Sequence, residues 1–153
     1  MKQNILILDL DGVLITTPSW RPDEMDTDGY SKFNAKAVEN LNILLAYKQM
    51  EIWLVSSRRA SKPMDEFNKI FKSRGICQPI AGYVAESNSM SRMHEIENFL
   101  DCQNHRNALI LDDDKSLRDF KFTYKGCYID IDNFKGFDEV ALAVALELCD
   151  TWE

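Results

Sequence analysis

The sequence predicts an α/β domain in which a parallel sheet lies between two layers of helices. Short apolar runs alternate along the chain with segments whose apolar residues recur at helical spacing. Three of the apolar runs end directly in polar residues, at Asp9, Ser56 and Asp112. Alternating strands and helices are typical of parallel strands joined by right-handed crossovers, and therefore of a three-layer, Rossmann-like architecture. A length of 153 residues fits one such domain over residues 1–153.

Five segments have the composition of strands. Residues 5–8 form the continuous apolar run that is typical of a fully buried strand. Residues 50–55 and 108–111 resemble this run in length and composition. Residues 82–85 predict a short strand and residues 126–131 a weaker one.

Four segments predict helices because their apolar residues recur every three or four positions. The first follows Asn34, a suitable N-cap, and the second follows Pro63, which is acceptable in a first turn. Either Ser89 or Ser91 could cap the third, which covers residues 93–100. The fourth depends on the spacing of Phe137, Val140, Ala141, Val144 and Leu148.

Two segments fall outside this alternation. Residues 16–31 are rich in turn-forming residues, so we expect an irregular loop there. Residues 120–125 predict either a loop or an edge strand.

Composition and charge limit the partners that the chain can have. The net charge is −7, which argues against binding nucleic acid through a broad positive field but leaves room for a local basic groove. Four cysteines are dispersed without a C-x-x-C pair, as expected for free thiols in a reducing cytosol. No signal-like pattern opens the chain, and the apolar stretch at 140–148 is too short for a membrane span. We therefore expect a cytoplasmic protein without a membrane partner, and no feature indicates a stable protein partner.

Two carboxylates at the end of the first strand indicate a metal site. Asp9 and Asp11 are two positions apart, and side chains two apart on extended backbone point the same way. Nothing structural needs two like charges at the end of a core strand. A divalent cation would offset their repulsion, because a hard cation prefers oxygen ligands.

The three polar strand ends predict a shared site. In an open parallel sheet, ligands bind beyond the carboxyl ends of the strands, where the strand order reverses. Ser56 and Arg58 would bring a hydroxyl and a guanidinium suited to phosphate oxygens. Asp112 and Asp113 would add carboxylates to the metal site.

These residues resemble the motifs of a known superfamily. The run from Asp9 to Leu14, Asp-Leu-Asp-Gly-Val-Leu, is similar to the first motif of the haloacid dehalogenase (HAD) superfamily of phosphotransferases. The strand ending at Ser56 resembles the second motif, and the pair Asp112 and Asp113 resembles the fourth. Within the superfamily, the chain is most similar to the small HAD domain grouped with bacterial RNA-repair (Swiss Army Knife) proteins.

The resemblance implies a magnesium-dependent phosphomonoester hydrolase that works through an aspartyl-phosphate. Asp9 would be the nucleophile and Asp11 the general acid and base. Ser56 and Arg58 would bind the phosphoryl group. The Mg²⁺ ligands would be Asp9, Asp11 through its carbonyl, Asp112 and Asp113. Phosphoryl transfer depends mainly on positioning and charge neutralisation, which this residue set can supply.

The chain departs from the superfamily pattern in two ways. The lysine that usually precedes the fourth motif is missing, since no lysine lies between Lys72 and Lys115. Arg92 is the best substitute by position, although arginine is bulkier than lysine and forked. The gaps between motifs are also too short for a cap domain. An open site favours an extended phosphorylated substrate such as a nucleic-acid end, over which residues 16–31 could form a small flap.

Two other functions are compatible with the same residues. Without the lysine, the fold could serve as a regulatory module that binds Mg²⁺ and phosphate without turnover. A receiver domain phosphorylated on aspartate also places acidic residues at a sheet edge. It needs a lysine at the end of a late strand, and residues 126–131 end without one, so we consider this function less suitable.

Overall fold

A computed structural model describes residues 2–86, 91–120 and 122–152. Their strands form one parallel sheet in the order β3-β2-β1-β4-β5, with β1 at its centre. The strands are β1 (Gln3–Leu8), β2 (Glu51–Leu54), β3 (Ile80–Tyr83), β4 (His105–Asp112) and β5 (Tyr128–Asp130).

Helices cover both faces of the sheet, which confirms the predicted three-layer architecture. They are α1 (Ala35–Tyr47), α2 (Met64–Ser73), α3 (Arg92–Cys102), α4 (Phe122–Lys125) and α5 (Glu139–Asp150), with 3₁₀ turns at Ser57–Ala60 and Lys115–Asp119. The apolar residues of α1, α2 and α5 share one core with one face of the sheet. Those of α3, together with Leu117, Phe120 and Tyr124, share a second core with the other face.

The central strand is apolar on both faces because it is covered on both. Leu6 and Leu8 point into the core under α1, whereas Ile5 and Ile7 point into the core under α3. Successive side chains of a strand alternate between faces, so a strand buried on both sides reads as a continuous apolar run. This is why residues 5–8 could be recognised as a strand from sequence.

Side-chain caps begin three of the helices. Asn34 accepts a hydrogen bond from the Ala37 N–H at 3.0 Å, as predicted for the start of α1. Ser91 is the N-cap of α3, while the alternative, Ser89, lies outside the described residues. Asp138 caps α5. An oxygen acceptor at this position satisfies one of the N–H groups that the first helical turn leaves unpaired.

Residues 122–125 are neither a loop nor an edge strand, because they form the single helical turn α4, while residue 121 lies outside the described residues. Phe120 and Tyr124 are both buried, with ring centroids 6.5 Å apart. Phe120 ends the preceding 3₁₀ turn and only Tyr124 lies in α4, so this helix of four residues gives no periodic pattern that the sequence could reveal. The strand expected at 82–85 also lies two positions earlier, at Ile80–Tyr83.

The fourth predicted helix exists, but part of its expected apolar face was wrong. Val140 is 74% exposed, and Val144 is exposed as well. The segment is apolar on more than one side, so its spacing fits two faces equally well. The residues that α5 buries are Ala141, Leu142, Ala145 and Cys149.

The loop at 16–31 is irregular, as predicted, and its second half is firmly attached to α2. The Arg74 guanidinium donates to the Asp28 carboxylate and to the carbonyl oxygens of Tyr30 and Ser31. The Tyr30 ring contacts the edge of Phe67, with 5.8 Å between centroids. The described segment 9–34 has no helix or regular strand, in agreement with the prediction that the fold lacks a cap.

Across the described ranges, we find no helix with the length and apolar character that crossing a membrane requires.

Candidate active site

The predicted residues meet at the point where the strand order reverses. From β1 the chain passes to β2 on one side and later returns to β4 on the other. Asp9 directly follows β1, and its N–H donates to the carbonyl of Leu111 at 3.0 Å. Asp112 is the last residue of β4. A crevice at such a position is where ligands bind in open parallel sheets.

Three carboxylates converge at this crevice. One oxygen from each of Asp9, Asp112 and Asp113 lies within 4.8 Å of the others. Asp9 is 4% exposed and Asp112 is fully buried. Burial raises the pKa of Asp9 well above its usual value, and the nearby Asp112 carboxylate raises it further. Burial and Asp112 also raise the pKa of Asp113. Three oxygen ligands this close together fit a hard divalent cation such as Mg²⁺.

Arg92 lies beside this cluster, where sequence analysis expected the substitute for the missing lysine. It is the first residue of α3, and its Nη1 donates to Asp112 Oδ2 at 2.7 Å. The same nitrogen lies 3.7 Å from Asp9 Oδ1. The Arg92 guanidinium therefore lies within 4 Å of two of the three carboxylates, and the cluster keeps an excess of negative charge when all three are ionised.

Glu95 connects Arg92 to a second arginine, and sequence analysis did not identify it. Its Oε1 accepts from Arg59 Nη2 at 2.9 Å and lies 3.9 Å from Arg92 Nε. All three side chains are largely buried. Glu95 is three positions after Arg92, and this spacing on a helix was the available signal. Glu95 restrains the orientation of Arg92 by contacting the side of the guanidinium that faces away from the cluster.

Arg58 is predicted to bind phosphate, but here it holds Asp11. Its Nε and Nη2 donate to the two Asp11 carboxylate oxygens, both at 2.8 Å. Nη2 also donates to Asp23 at 2.7 Å, and Nη1 donates to the hydroxyl oxygens of Tyr30 and Ser31. A guanidinium has five N–H donors, so every donor of Arg58 has a partner.

The Asp11 carboxylate stands outside the acidic cluster formed by the described residues. Both of its oxygens accept from Arg58, whereas the ligand atoms of the cluster come from Asp9, Asp112 and Asp113. Gly12 lies between the Asp11 carboxylate and the acidic cluster. Its φ of +81° is in the left-handed region, and a Cβ there would overlap the Asp113 carboxylate. The motif needs glycine here because the Asp113 carboxylate lies against the backbone.

Ser56 lies one position beyond the end of the β2–β1 pairing. The Val55 N–H donates to the Leu8 carbonyl at 3.0 Å, which places Ser56 next to the Asp9 turn. The Ser56 Oγ is buried and accepts from the Arg58 N–H at 3.2 Å. Among the described residues its hydroxyl hydrogen has no acceptor. That hydrogen is available to a ligand oxygen.

A surface cavity of about 340 Å³ opens beside the cluster. Asp11, Gly12 and Asp113 line its inner side, and Asn133 lines another part. The first half of the loop at 16–31 forms the remainder through Thr17, Pro18, Ser19, Arg21 and Asp23. The loop therefore borders the site, as sequence analysis anticipated, without closing it.

Comparison with known families agrees with this geometry. A model described as the HAD domain in Swiss Army Knife RNA repair proteins matches residues 5–142. The chain belongs to this family. The matched span of this HAD domain contains every predicted site residue from Asp9 to Asp113, and membership indicates a hydrolase of the phosphatase type. Searches of curated proteins and of solved structures find no match.

Proposed function

We propose that this HAD domain hydrolyses phosphomonoesters with Mg²⁺ held by Asp9, Asp112, Asp113 and the Asp11 carbonyl. The observation that carries the proposal is the convergence of three carboxylate oxygens within 4.8 Å at the strand switch, faced by one arginine. Buried carboxylates without enough counter-charge destabilise a fold. A bound divalent cation would remove that cost and would also neutralise charge on a phosphoryl group.

Asp9 and Asp11 would have different roles in the reaction. An Asp9 oxygen forms a bond to phosphorus while the bond from phosphorus to the leaving oxygen breaks, and Asp11 gives that oxygen its proton. Water then attacks the aspartyl-phosphate, Asp11 takes a proton from it, and Asp9 leaves as a carboxylate. Because Arg58 holds both oxygens of Asp11, at least one of these bonds has to open when Asp11 transfers a proton.

The remaining residues would bind the transferred group. Ser56 offers its hydroxyl hydrogen to a phosphate oxygen, and Arg92 supplies the positive charge that the missing lysine usually gives. Arg58 remains a predicted phosphate ligand, and it would reach phosphate by giving up one of its five present hydrogen bonds. Arg92 contacts Asp112 and Asp9 and so supplies a positive charge where the lysine is absent. This supports an enzyme over a regulatory module without turnover.

The end of a nucleic acid is the substrate class that we propose. The absence of a cap within the described segment 9–34 leaves room for an extended substrate. The family is named for RNA repair proteins, which agrees with such a substrate. With a net charge of −7, recognition would depend on local contacts at the site and not on a broad positive field. We further propose a cytoplasmic location, where its four cysteines, all free thiols here, would stay reduced.

Phosphate release measured with and without Mg²⁺ tests the proposal. The substrates are p-nitrophenyl phosphate and oligonucleotides phosphorylated at the 3′ or the 5′ end. We expect activity that EDTA removes and that Asp9→Asn lowers by about 10³-fold or more, because the nucleophile is lost. Asp130→Asn is the matched control, since Asp130 ends the neighbouring strand opposite Asp112 and is bound by Lys115 and Arg118. Full activity in Asp9→Asn would refute the nucleophile assignment, and Mg²⁺ binding without turnover of any substrate would favour the regulatory module.

A further inference from the structure

Two aromatic side chains lie unusually exposed next to the site. Trp20 is 72% exposed and Phe134 is 57% exposed, although both are large and apolar. Their ring centroids are 5.9 Å apart, with planes inclined by 47°. They come from two loops that are distant in sequence, and neither ring belongs to either hydrophobic core. Adjacent exposed rings of this kind often mark a binding surface.

Each ring of the aromatic pair belongs to a residue whose sequence neighbours line the cavity beside the acidic cluster. Trp20 lies between Ser19 and Arg21, both of which line the cavity. Phe134 follows Asn133, which lines the cavity as well. The inner side of the same cavity is formed by Asp11, Gly12 and Asp113. A ligand whose phosphate entered the cavity would therefore have its next chemical group beside the two rings.

Arg21 adds an available positive charge to this cavity. Five other arginines of the described chain form ion pairs with carboxylates, whereas Arg106 forms none; the five are Arg58, Arg59, Arg74, Arg92 and Arg118. Arg21 is exposed and forms no ion pair within the described ranges, although Asp23 and Asp113 line the same cavity. Its guanidinium is free to contact a phosphate or to lie on a ring.

We propose that Trp20, Phe134 and Arg21 form a subsite for the unpaired terminal nucleotide of a single-stranded nucleic acid. The base stacks on the Trp20 and Phe134 rings, and Arg21 contacts the phosphate that follows. This inference rests on the proposed function, because it assumes that the terminal phosphate of the same strand enters the cavity. Stacking on an aromatic ring is available to every base, so the subsite recognises an unpaired end without reading its sequence.

A structural role for the same contact makes a different prediction. If Trp20 and Phe134 served only to hold the two loops together, removing one ring would loosen the cavity wall. Every substrate would then be affected alike, whether or not it carries a base. The two roles are therefore separated by substrates that differ only in the terminal base.

The test compares Trp20→Ala with the wild-type protein on paired substrates. These are phosphorylated trinucleotides with a normal terminal nucleoside or an abasic one, together with glycerol 2-phosphate. We expect Trp20→Ala to raise KM about 10-fold for the base-bearing substrate, with kcat unchanged. KM for the abasic substrate and for glycerol 2-phosphate should not change. Trp20→Phe should restore most of the loss, and Tyr47→Ala, which removes an exposed ring on α1, is the control.

Equilibrium binding separates failure of the subsite from failure of the proposed function. Fluorescence anisotropy of a labelled phosphorylated trinucleotide with Mg²⁺ reports binding without turnover. Base-dependent binding that Trp20→Ala and Arg21→Gln both weaken, with no hydrolysis, supports the subsite and refutes the phosphatase. The subsite is refuted if hydrolysis occurs with the same KM for base-bearing and abasic substrates, or if Trp20→Ala lowers activity equally on all substrates. Either outcome leaves the proposed phosphatase activity standing. If neither hydrolysis nor binding occurs, both proposals fail.

Discussion

Arg92 and Arg58 both bind aspartates at the carboxyl edge of the sheet, but the carboxylates beside Arg92 are more numerous and more deeply buried than those beside Arg58. Arg92 donates to one carboxylate and faces a group of three, two of which are almost completely buried. Arg58 donates all five of its N–H groups, and its two carboxylate partners, Asp11 and Asp23, remain partly exposed. With all of these carboxylates ionised, Arg92 stands beside three of them and Arg58 beside two, so the larger and more deeply buried excess of negative charge is on the Arg92 side.

This difference indicates which side of the site would bind the proposed cation. Burial next to another carboxylate raises the pKa values of Asp9 and Asp113. On the Arg58 side the pKa of Asp23 is lowered, first by the hydrogen bond that Ser31 donates and also by Arg58. A metal would therefore stabilise the carboxylates beside Arg92. The carboxylates beside Arg58 are already hydrogen-bonded to it and need no metal.

Within this comparison, the largest expected effect comes from removing the positive charge of Arg92. We expect Arg92→Gln to lower kcat about 100-fold, because a charge aimed at the reacting group is lost. Arg92→Lys keeps the charge and restores the residue type usual in the superfamily, so its kcat should stay within about 10-fold of the wild-type value. Steady-state hydrolysis of p-nitrophenyl phosphate measures both. Equal losses in the two variants would show that the forked shape of arginine matters more than its charge.

A smaller effect is expected on stability, and it depends on pH. Because the pKa of Asp9 is raised, the metal-free folded protein keeps a proton that the unfolded chain releases. Its stability therefore falls as the pH rises from the usual aspartate pKa through the raised one. Mg²⁺ replaces this proton. We expect saturating Mg²⁺ to raise the free energy of unfolding by about 2 kcal/mol at about pH 7.5, and by less at about pH 5.

Urea unfolding at the two pH values, with Mg²⁺ or with EDTA, measures this difference. Asp112→Asn should abolish the stabilisation by Mg²⁺, since Asp112 supplies one of the converging oxygens. Asp130→Asn should retain it, because Asp130 is paired with Lys115 and Arg118 outside the cluster. Stabilisation by Mg²⁺ that is the same at both pH values would contradict the assignment.

The two sides also differ in how well sequence could predict them. Asp9 and Asp112 could be placed because each ends a continuous apolar strand, and parallel strands bring their carboxyl ends to one edge. Arg92 could be placed because it opens a helix. The Arg58 contacts could not be predicted, because Asp23, Tyr30 and Ser31 come from an irregular loop. Periodicity does not encode where the side chains of such a loop point.

Replacing Arg58 tests whether its contacts are independent of the acidic cluster. We expect this replacement to have the smallest effect of those compared. Arg58→Gln should lower the free energy of unfolding by about 1 kcal/mol, since its partners are partly exposed and regain water. Arg58→Lys should recover little of this loss, because an ammonium cannot bind Asp11 through two parallel bonds. Stabilisation by Mg²⁺ should be unchanged in both variants, since Arg58 donates to no carboxylate of the cluster. Urea unfolding with and without Mg²⁺ measures both quantities, and loss of the Mg²⁺ effect in Arg58→Gln would show that the two sides act as one unit.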